Sequence, residues 1–198
     1  MAATDQPAPP GTRRSQILRA AAELFASSGA RGTSIAAVAA RVGITDAGVL
    51  YHFKTKEHLL LGVLDEYGRA VQSEIQRAGV HGISLLRLVR EWGAGMEQRP
   101  EISALLIVLT AEHLTADSSV RRALQARYRK GIERYEAAFA DAAAAGDLRA
   151  DLDPRHEAAA LVAHLDGIRL QWFLADRSFS MADSVRRYVD DTLARLAP

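Results

Sequence analysis

The sequence contains no cysteine, and this absence excludes several kinds of site. Disulfide bridges, thiolate zinc sites, iron–sulfur clusters held by cysteine, and cysteine nucleophiles all need a residue that the chain lacks. A chain without cysteine suits a reducing compartment, so we expect the protein in the cytoplasm.

The sequence also lacks a long apolar run and a secretory signal. Its best candidate for a span, Ile102–Thr110, is bounded by Glu101 and Glu112. It is far shorter than the roughly 18 apolar residues of a membrane helix. Residues 1–11 are rich in alanine and proline, and no basic segment precedes an apolar one there. We therefore expect no membrane span, and we interpret residues 1–11 as a disordered arm.

Signatures of catalysis and of metal binding are missing as well. Residues 61–198 contain no H-E-x-x-H, no G-x-S-x-G, no P-loop and no dinucleotide fingerprint. His156 and Glu157 fail the zinc pattern because position 160 is alanine. His164 and Asp166 are two residues apart, so they do not share one face of a helix. We expect neither an enzyme nor a bound metal or cofactor.

Charge is distributed unevenly along the chain, although its formal net charge is only +1. Residues 1–60 carry seven basic and four acidic side chains, whereas residues 61–198 carry 18 basic and 20 acidic ones. A basic first third attached to a near-neutral remainder favours a polyanionic partner for the first third.

Helical periodicity dominates the sequence, strand-like alternation is nearly absent and alanine is abundant, so the predicted fold class is all-α. We predict about nine helices. They cover Arg13–Ser27, Ile35–Val42, a short helix from Thr45 to Phe53, Glu57–Gln76, Ser84–Gln98, Glu101–Leu114, a helix capped at 117–119 that ends near Ala145, Pro154–Ala175 and Met181–Leu196.

Residues 33–60 have the pattern of a helix-turn-helix. Two short helices flank Gly43, a residue that supplies the positive φ of the turn, and the first helix of the chain completes a tri-helical core. In such a unit the second short helix enters the major groove of DNA, and its first residues reach the base edges. The residues at that position are Thr45, Asp46, Ala47 and Gly48.

Other side chains in this stretch are candidates for contacts with the DNA backbone. Thr33 combines a hydroxyl with the dipole of a helix N-terminus. Lys54 and Lys56 supply positive charge. Tyr51 and His52 can donate hydrogen bonds to phosphate, although packing is an equally good interpretation of both. Asp46 can accept from cytosine N4 or can simply face the helix dipole in the first turn.

The same stretch resembles the TetR family of bacterial transcription regulators. The resemblance is carried by Thr33, Ile35, Val38, Ala39, Gly43, Ile44, Thr45, Val49, His52, Phe53, Thr55, Lys56, Glu57 and Leu59. It departs at Leu50, where members often have tyrosine, and Tyr51 follows instead. The resemblance implies that Lys56 is the phosphate-binding lysine of the family. It also implies a DNA-binding domain over residues 12–57 and a helical-bundle domain for effector binding and dimerisation over residues 58–198.

The function implied by the resemblance is that of a homodimeric repressor, released from a palindromic operator by a small-molecule effector. The effector pocket is then expected among the helices that follow residue 58. Our candidates for its lining are Trp92, Met96, Leu109, His113, Tyr128 and His164. Ordinary packing is the alternative for each of them.

Two apolar stripes near the end of the sequence are candidates for a dimer interface. One comprises Leu161, Leu165, Ile168 and Trp172, and the other includes Val185 and Val189. The first lies in a segment that resembles the dimerisation helix of regulators with a choline-repressor-like C-terminal domain. Two such helices from each subunit would form a four-helix interface. In the alternative interpretation, both stripes face the core of their own chain.

Two other functions stay open at this point. The chain can be an all-α enzyme or ligand carrier that kept the first helices only as structure, although the missing catalytic residues argue against an enzyme. It can also be a DNA-binding protein that a protein partner, rather than a small ligand, controls.

Overall fold

The structure is a computed structural model that describes residues 11–115 and 117–198. Within those ranges it contains ten α-helices, one short 3-10 helix at Val89–Glu91 and no β-strand. The α-helices are α1 (Arg13–Gly32), α2 (Ile35–Val42), α3 (Asp46–His52), α4 (Lys56–Ala78), α5 (Gly82–Leu88), α6 (Trp92–Glu97), α7 (Pro100–His113), α8 (Ser119–Ala144), α9 (Pro154–Leu174) and α10 (Met181–Arg195). The predicted all-α class is confirmed. The predicted arm, apart from Gly11, lies outside the described residues.

The helix ends follow local signals in the sequence. α2 has its predicted bounds, and the side chain of Ser34 caps it by accepting a hydrogen bond from the backbone amide of Ala37 at 3.0 Å. α9 begins with Pro154 in its first turn, where a missing N–H costs nothing, and the carboxylate of Asp153 caps it. Such signals act over a few residues and can therefore be recognised in the sequence.

One predicted helix is broken in the structure. The sequence predicts a single helix over Ser84–Gln98, whereas the structure has α5, the 3-10 helix and α6 in this region. Gly93 and Gly95 both fall within α6, and each glycine weakens a helix by about 1 kcal/mol relative to alanine. This interruption raises the number of α-helices from the nine predicted to ten.

The described residues up to Glu74 and the segment Ala104–Leu124 form one compact unit. In this first unit α2 packs against both α1 and α3, as the helix-turn-helix pattern predicts. The large buried side chains that hold it together include Ile17, Phe25, Val38, Val49 and Leu59. Burying each of them contributes roughly 1.5–3 kcal/mol, which is enough to keep short helices in one arrangement.

Ile75–Ser103 and Gln125–Pro198 form the second compact unit. In it α10 packs against α6, the 3-10 helix and α9. The guanidinium of Arg195 binds the Glu157 carboxylate with two hydrogen bonds of 3.0 and 2.7 Å, which join α10 to α9. These hydrogen bonds hold the pKa of Glu157 below its ordinary value.

The two compact units are defined by packing and not by the order of the sequence. The first therefore combines Ala104–Leu124 with α1–α3. The domain boundary after residue 57 stays a prediction. In the described ranges, no helix combines the length and the apolar character that crossing a bilayer requires.

Candidate nucleic-acid interface

The turn between α2 and α3 is fixed by backbone hydrogen bonds. Gly43 has φ 71° and ψ 39°, the left-handed conformation that suits glycine, and its amide donates to the Ala40 carbonyl at 3.2 Å. The amide of Ile44 donates to the Ala39 carbonyl at 3.0 Å. Thr45 then caps α3, because its hydroxyl accepts from the amide of Gly48 at 3.2 Å. The orientation of α3 is thus set by contacts within a few residues.

The N-terminal end of α3 faces solvent while its other side is anchored. Thr45, Asp46 and Ala47 are exposed, and Gly48 is half-buried. Val49 is fully buried in the first unit. The four residues predicted to reach base edges therefore lie together at one accessible end of a short, anchored helix.

An aromatic side chain and two basic side chains lie in the last turn of α3 and just after it. Tyr51 is 76% exposed, so it does not belong to the core. Its ring lies edge-on to His52, with 5.2 Å between the centroids, and Lys54 Nζ lies 5.8 Å from the centroid of the Tyr51 ring. The exposure of Tyr51 leaves its hydroxyl available for a phosphate and removes packing as its explanation.

Thr33 is not available in the way the sequence predicts. It is only 2% exposed, and its hydroxyl donates to the carbonyl of Gly29 at 2.9 Å. A buried hydroxyl that already has an acceptor cannot reach a phosphate. The exposed hydroxyl at the start of α2 belongs to Ser34, the residue that caps this helix.

Lys56 lies at the first position of α4 and is half-buried. Its Nζ donates to the backbone carbonyl of Thr33 at 3.1 Å, which holds the ammonium beside the start of α2. An ammonium has three N–H donors, so this contact leaves donors for a second acceptor. Lys56 and Ser34 are therefore brought to the same end of α2.

A groove of about 390 Å³ lies on another part of the first unit. It is lined by Arg13, Gln16, Arg19, Ala20, Glu23, Arg41 and Val42. Arg41 pairs with Glu23 at 2.6 Å on the surface, where such a pair contributes little to stability. The groove is not evident from the sequence, because its residues come from both α1 and α2.

The predicted pocket residues fall in both compact units. Leu109 is fully buried in the first unit, and His113 is half-buried with its Nδ1 3.4 Å from the hydroxyl of Ser118. In the second unit Met96 is buried, while His164 stacks on Tyr188 with 3.7 Å between ring centroids.

Trp92 and Tyr128, also in the second unit, lie close to two charged residues of α9. The Arg169 guanidinium lies 5.9 Å from the centroid of the Trp92 ring, and the Tyr128 hydroxyl is hydrogen-bonded to Asp166. Arg169 cannot be recognised as a site residue from the sequence, because nothing in its local pattern distinguishes it from a solvated arginine.

The predicted dimer stripes require a correction. Leu161, Leu165, Trp172, Val185 and Val189 are all buried within the single chain, so they belong to its own core, as the alternative interpretation had it. Only Ile168 is half-buried. The side of α9 that faces solvent carries a different stripe, formed by the exposed Ala159, Ala163, Leu170 and Leu174 and the half-buried Gly167. Periodicity alone did not distinguish the two faces, because both are apolar.

Two family models together match most of the chain. The model of bacterial regulatory proteins of the TetR family matches residues 17–63. The model of the C-terminal part of BetI-type transcriptional repressors matches residues 84–198. The first match covers the helix-turn-helix. The second covers most of the helices that follow it.

Individual relatives agree with these models. The HTH-type transcriptional regulator TtgR of Pseudomonas putida is 26% identical, over 93% of this chain and 92% of its own. A solved structure described as the molecular basis for control of antibiotic production by bacterial hormones is 30% identical, with a TM-score of 0.74 over 92% of this chain and 95% of that one. SmeT, the repressor of a Stenotrophomonas maltophilia multidrug efflux pump, has the same fold at 21% identity, with a TM-score of 0.78 over 95% and 92% of the two chains.

Proposed function

Because the chain belongs to the TetR family and is a DNA-binding transcriptional regulator, we propose that it is a homodimeric repressor, released from a palindromic operator by a small-molecule effector. The observation that carries the DNA-binding part is the exposed N-terminal end of α3 on an anchored helix. A recognition helix needs both properties, since it has to reach base edges without losing its orientation. Binding to the chromosome would place the protein in the bacterial cytoplasm.

In this proposal the contacts divide into two groups. Thr45, Asp46, Ala47 and Gly48 meet base edges in the major groove, where small residues permit a close approach. The phosphates on either side are met by the backbone-contact group, which comprises Ser34, Tyr51, His52, Lys54 and Lys56. Ser34 takes the position that the sequence analysis gave to Thr33, because only Ser34 is exposed.

The proposed homodimer rests on the exposed stripe of α9. Leu170 is 43% exposed and Leu174 is 76% exposed. With Ala159, Ala163 and Gly167 they follow a spacing of three and four residues along one face, and small residues permit close approach of another helix. We assign this face to a second copy of the chain, because a two-fold dimer presents two recognition helices to the two halves of a palindrome.

The proposed effector acts through the remainder of the chain. A ligand changes the affinity for DNA only if it binds the DNA-bound and released conformations unequally. The match to the C-terminal part of BetI-type repressors supports this role for residues 84–198. Control by a protein partner is the second candidate, and we favour neither a catalytic role nor a cofactor.

Selection of genomic DNA tests the proposal. Fragments of the source genome are incubated with the purified full-length protein, and the bound fraction is sequenced. We expect enrichment of an inverted repeat whose half-sites are one helical turn apart, about 34–36 Å, or a multiple of it. The control is the Lys54→Ala, Lys56→Ala double variant, which should recover less DNA. If no fragment is enriched, the proposed function is wrong.

A further inference from the structure

Arg169 is a charged residue in the interior of the second unit. It lies on α9 and is only 3% exposed. One of its terminal nitrogens donates to the carboxylate of Asp166, whereas its buried Nε has no hydrogen-bond partner in the part of the chain that the structure describes. A guanidinium carries five N–H donors, and a buried donor without an acceptor destabilises the fold because it has lost its hydrogen bond to water. An acceptor from outside the chain would remove that destabilisation.

Three other side chains surround this guanidinium. Trp92 faces it from α6, with 5.9 Å between Cζ and the centroid of the indole ring. Tyr128 of α8 is hydrogen-bonded to Asp166, whose side chain is 32% exposed. Trp92 and Tyr128 are half-buried. The Arg169 cluster, defined as Trp92, Tyr128, Asp166 and Arg169, is therefore buried at the guanidinium and open to solvent at its other members.

The protonation state of Tyr128 follows from its surroundings. Burial raises the pKa of Tyr128, and the neighbouring Asp166 raises it further, so the phenol stays protonated and donates to the carboxylate at neutral pH. Asp166 thus accepts from both Tyr128 and Arg169, which orients the guanidinium.

We propose that the Arg169 cluster binds the effector through a carbonyl or carboxylate oxygen that accepts a hydrogen bond from Arg169, while the rings of Trp92 and Tyr128 cover an apolar part of the same molecule. This inference rests on the proposed function, because it gives the chemical class of the effector. Arginine offers donors only, so the recognised atom has to be an acceptor.

The same geometry disfavours a cationic effector. An aromatic face attracts a cation, but the Arg169 guanidinium already lies near the face of Trp92. A second cation there would meet a like charge in a poorly solvated place. Selectivity for oxygen acceptors over ammonium groups is therefore the expected property of the site.

Isosteric probes test this selectivity by isothermal titration calorimetry. We would use 2-naphthoate and 2-naphthamide as acceptor probes and 2-naphthylmethylammonium as the cationic probe, with the full-length wild-type protein. Both acceptor probes should bind at least about tenfold more tightly than the cation. Equal or tighter binding of the cation, or no binding of either acceptor at millimolar concentration, would overturn the proposal. This comparison needs no variant.

Arg169→Lys supplies the second test, because it keeps the charge but removes Nε. It should weaken binding of both acceptor probes about tenfold or more. Arg155→Lys is the matched control on the same helix, since Arg155 is exposed and pairs with Glu136 at the surface. Unchanged affinity in a folded Arg169→Lys variant would contradict the role of Arg169.

The genomic selection and the probe titrations distinguish a wrong effector class from a wrong proposed function. If the genomic selection enriches an operator but the acceptor probes do not bind, only the effector class is wrong. If no operator is enriched, the proposed function is wrong whatever the probes do.

Discussion

The carboxylate of Glu112 accepts a hydrogen bond from the backbone amide of Ala30, with 2.8 Å between Oε2 and the nitrogen. This contact joins the last turn of α7 to the point where α1 is interrupted at Gly29, whose φ is 71°. The next contacts continue toward the DNA-binding helices: the Thr33 hydroxyl donates to Gly29, and Lys56 donates to the carbonyl of Thr33. The end of α7 is thus connected to the start of both α2 and α4.

Glu112→Ala should destabilise the protein by about 1–2 kcal/mol, because it leaves the amide of the buried Ala30 without an acceptor. For a chain of this size that corresponds to a fall in Tm of roughly 2–8 °C. Thermal unfolding followed by circular dichroism measures it. Glu74→Ala, at an exposed position of α4, is the control and should change Tm little. Equal effects of the two substitutions would show that the Glu112 contact contributes nothing specific.

Lys56→Ala should weaken binding to operator and to unrelated DNA alike, because a phosphate contact carries no sequence information. The slope of log affinity against log salt should become shallower by about one phosphate. Fluorescence anisotropy at several salt concentrations gives this slope. The chain offers Lys130→Ala as a control, since Lys130 is an exposed lysine on α8. An unchanged slope for Lys56→Ala would refute its phosphate contact.

Asp46→Ala should change the preferred base at one operator position, with a cost or gain of about 1–3 kcal/mol there. The carboxylate lies exposed at the start of α3, where it can accept from cytosine N4. Anisotropy with every single-base variant of one half-site measures the change. A uniform gain in affinity for all sequences would show instead that Asp46 only repels phosphate.

Leu170→Arg should convert the proposed dimer to a monomer, because it introduces a charge into the apolar stripe of α9. Analytical ultracentrifugation measures the mass directly. Leu114→Arg is the matched control, since Leu114 is 65% exposed outside that stripe and its substitution should leave the dimer intact. A dimer that survives Leu170→Arg, or a wild-type protein that is monomeric, would contradict the assigned face.

Acid should destabilise the protein partly through His164. Burial lowers the pKa of this imidazole, so the folded state disfavours the proton that the unfolded chain accepts with its ordinary pKa of 6.5. Stability due to this group is therefore complete above that pH and declines as the pH falls through it toward the lower folded value. His164→Phe, which keeps a ring on Tyr188, should flatten this decline in urea unfolding at pH 8, 6.5 and 5. His156→Gln, at an exposed position of the same helix, should leave it unchanged.

Local signals explain which part of the fold can be predicted from the sequence. The Gly43–Thr45 turn and the Ser34 cap are decided by hydrogen bonds that span three to five residues, so α2 and α3 have nearly their predicted bounds. Whether Thr33 or Ser34 has the exposed hydroxyl depends on the position of the Gly29 carbonyl, because that carbonyl accepts a hydrogen bond from Thr33. That carbonyl is set by an interruption of α1 that its apolar pattern does not reveal.

Tertiary packing explains what the sequence does not reveal. Leu161, Leu165 and Trp172 fit a helical stripe as well as Ala163, Leu170 and Leu174 do, and the packing of α10 against α9 in the second unit distinguishes the buried face from the exposed one. Arg169 is buried for the same reason.

The most direct test of the central claim, that the exposed end of α3 reads DNA sequence, is a pair of affinities at physiological salt. The enriched genomic site and a scrambled duplex of the same length are titrated with the wild-type protein by fluorescence anisotropy. The account predicts that the genomic site binds at least about 10³-fold more tightly. Equal affinity for the two duplexes would contradict it.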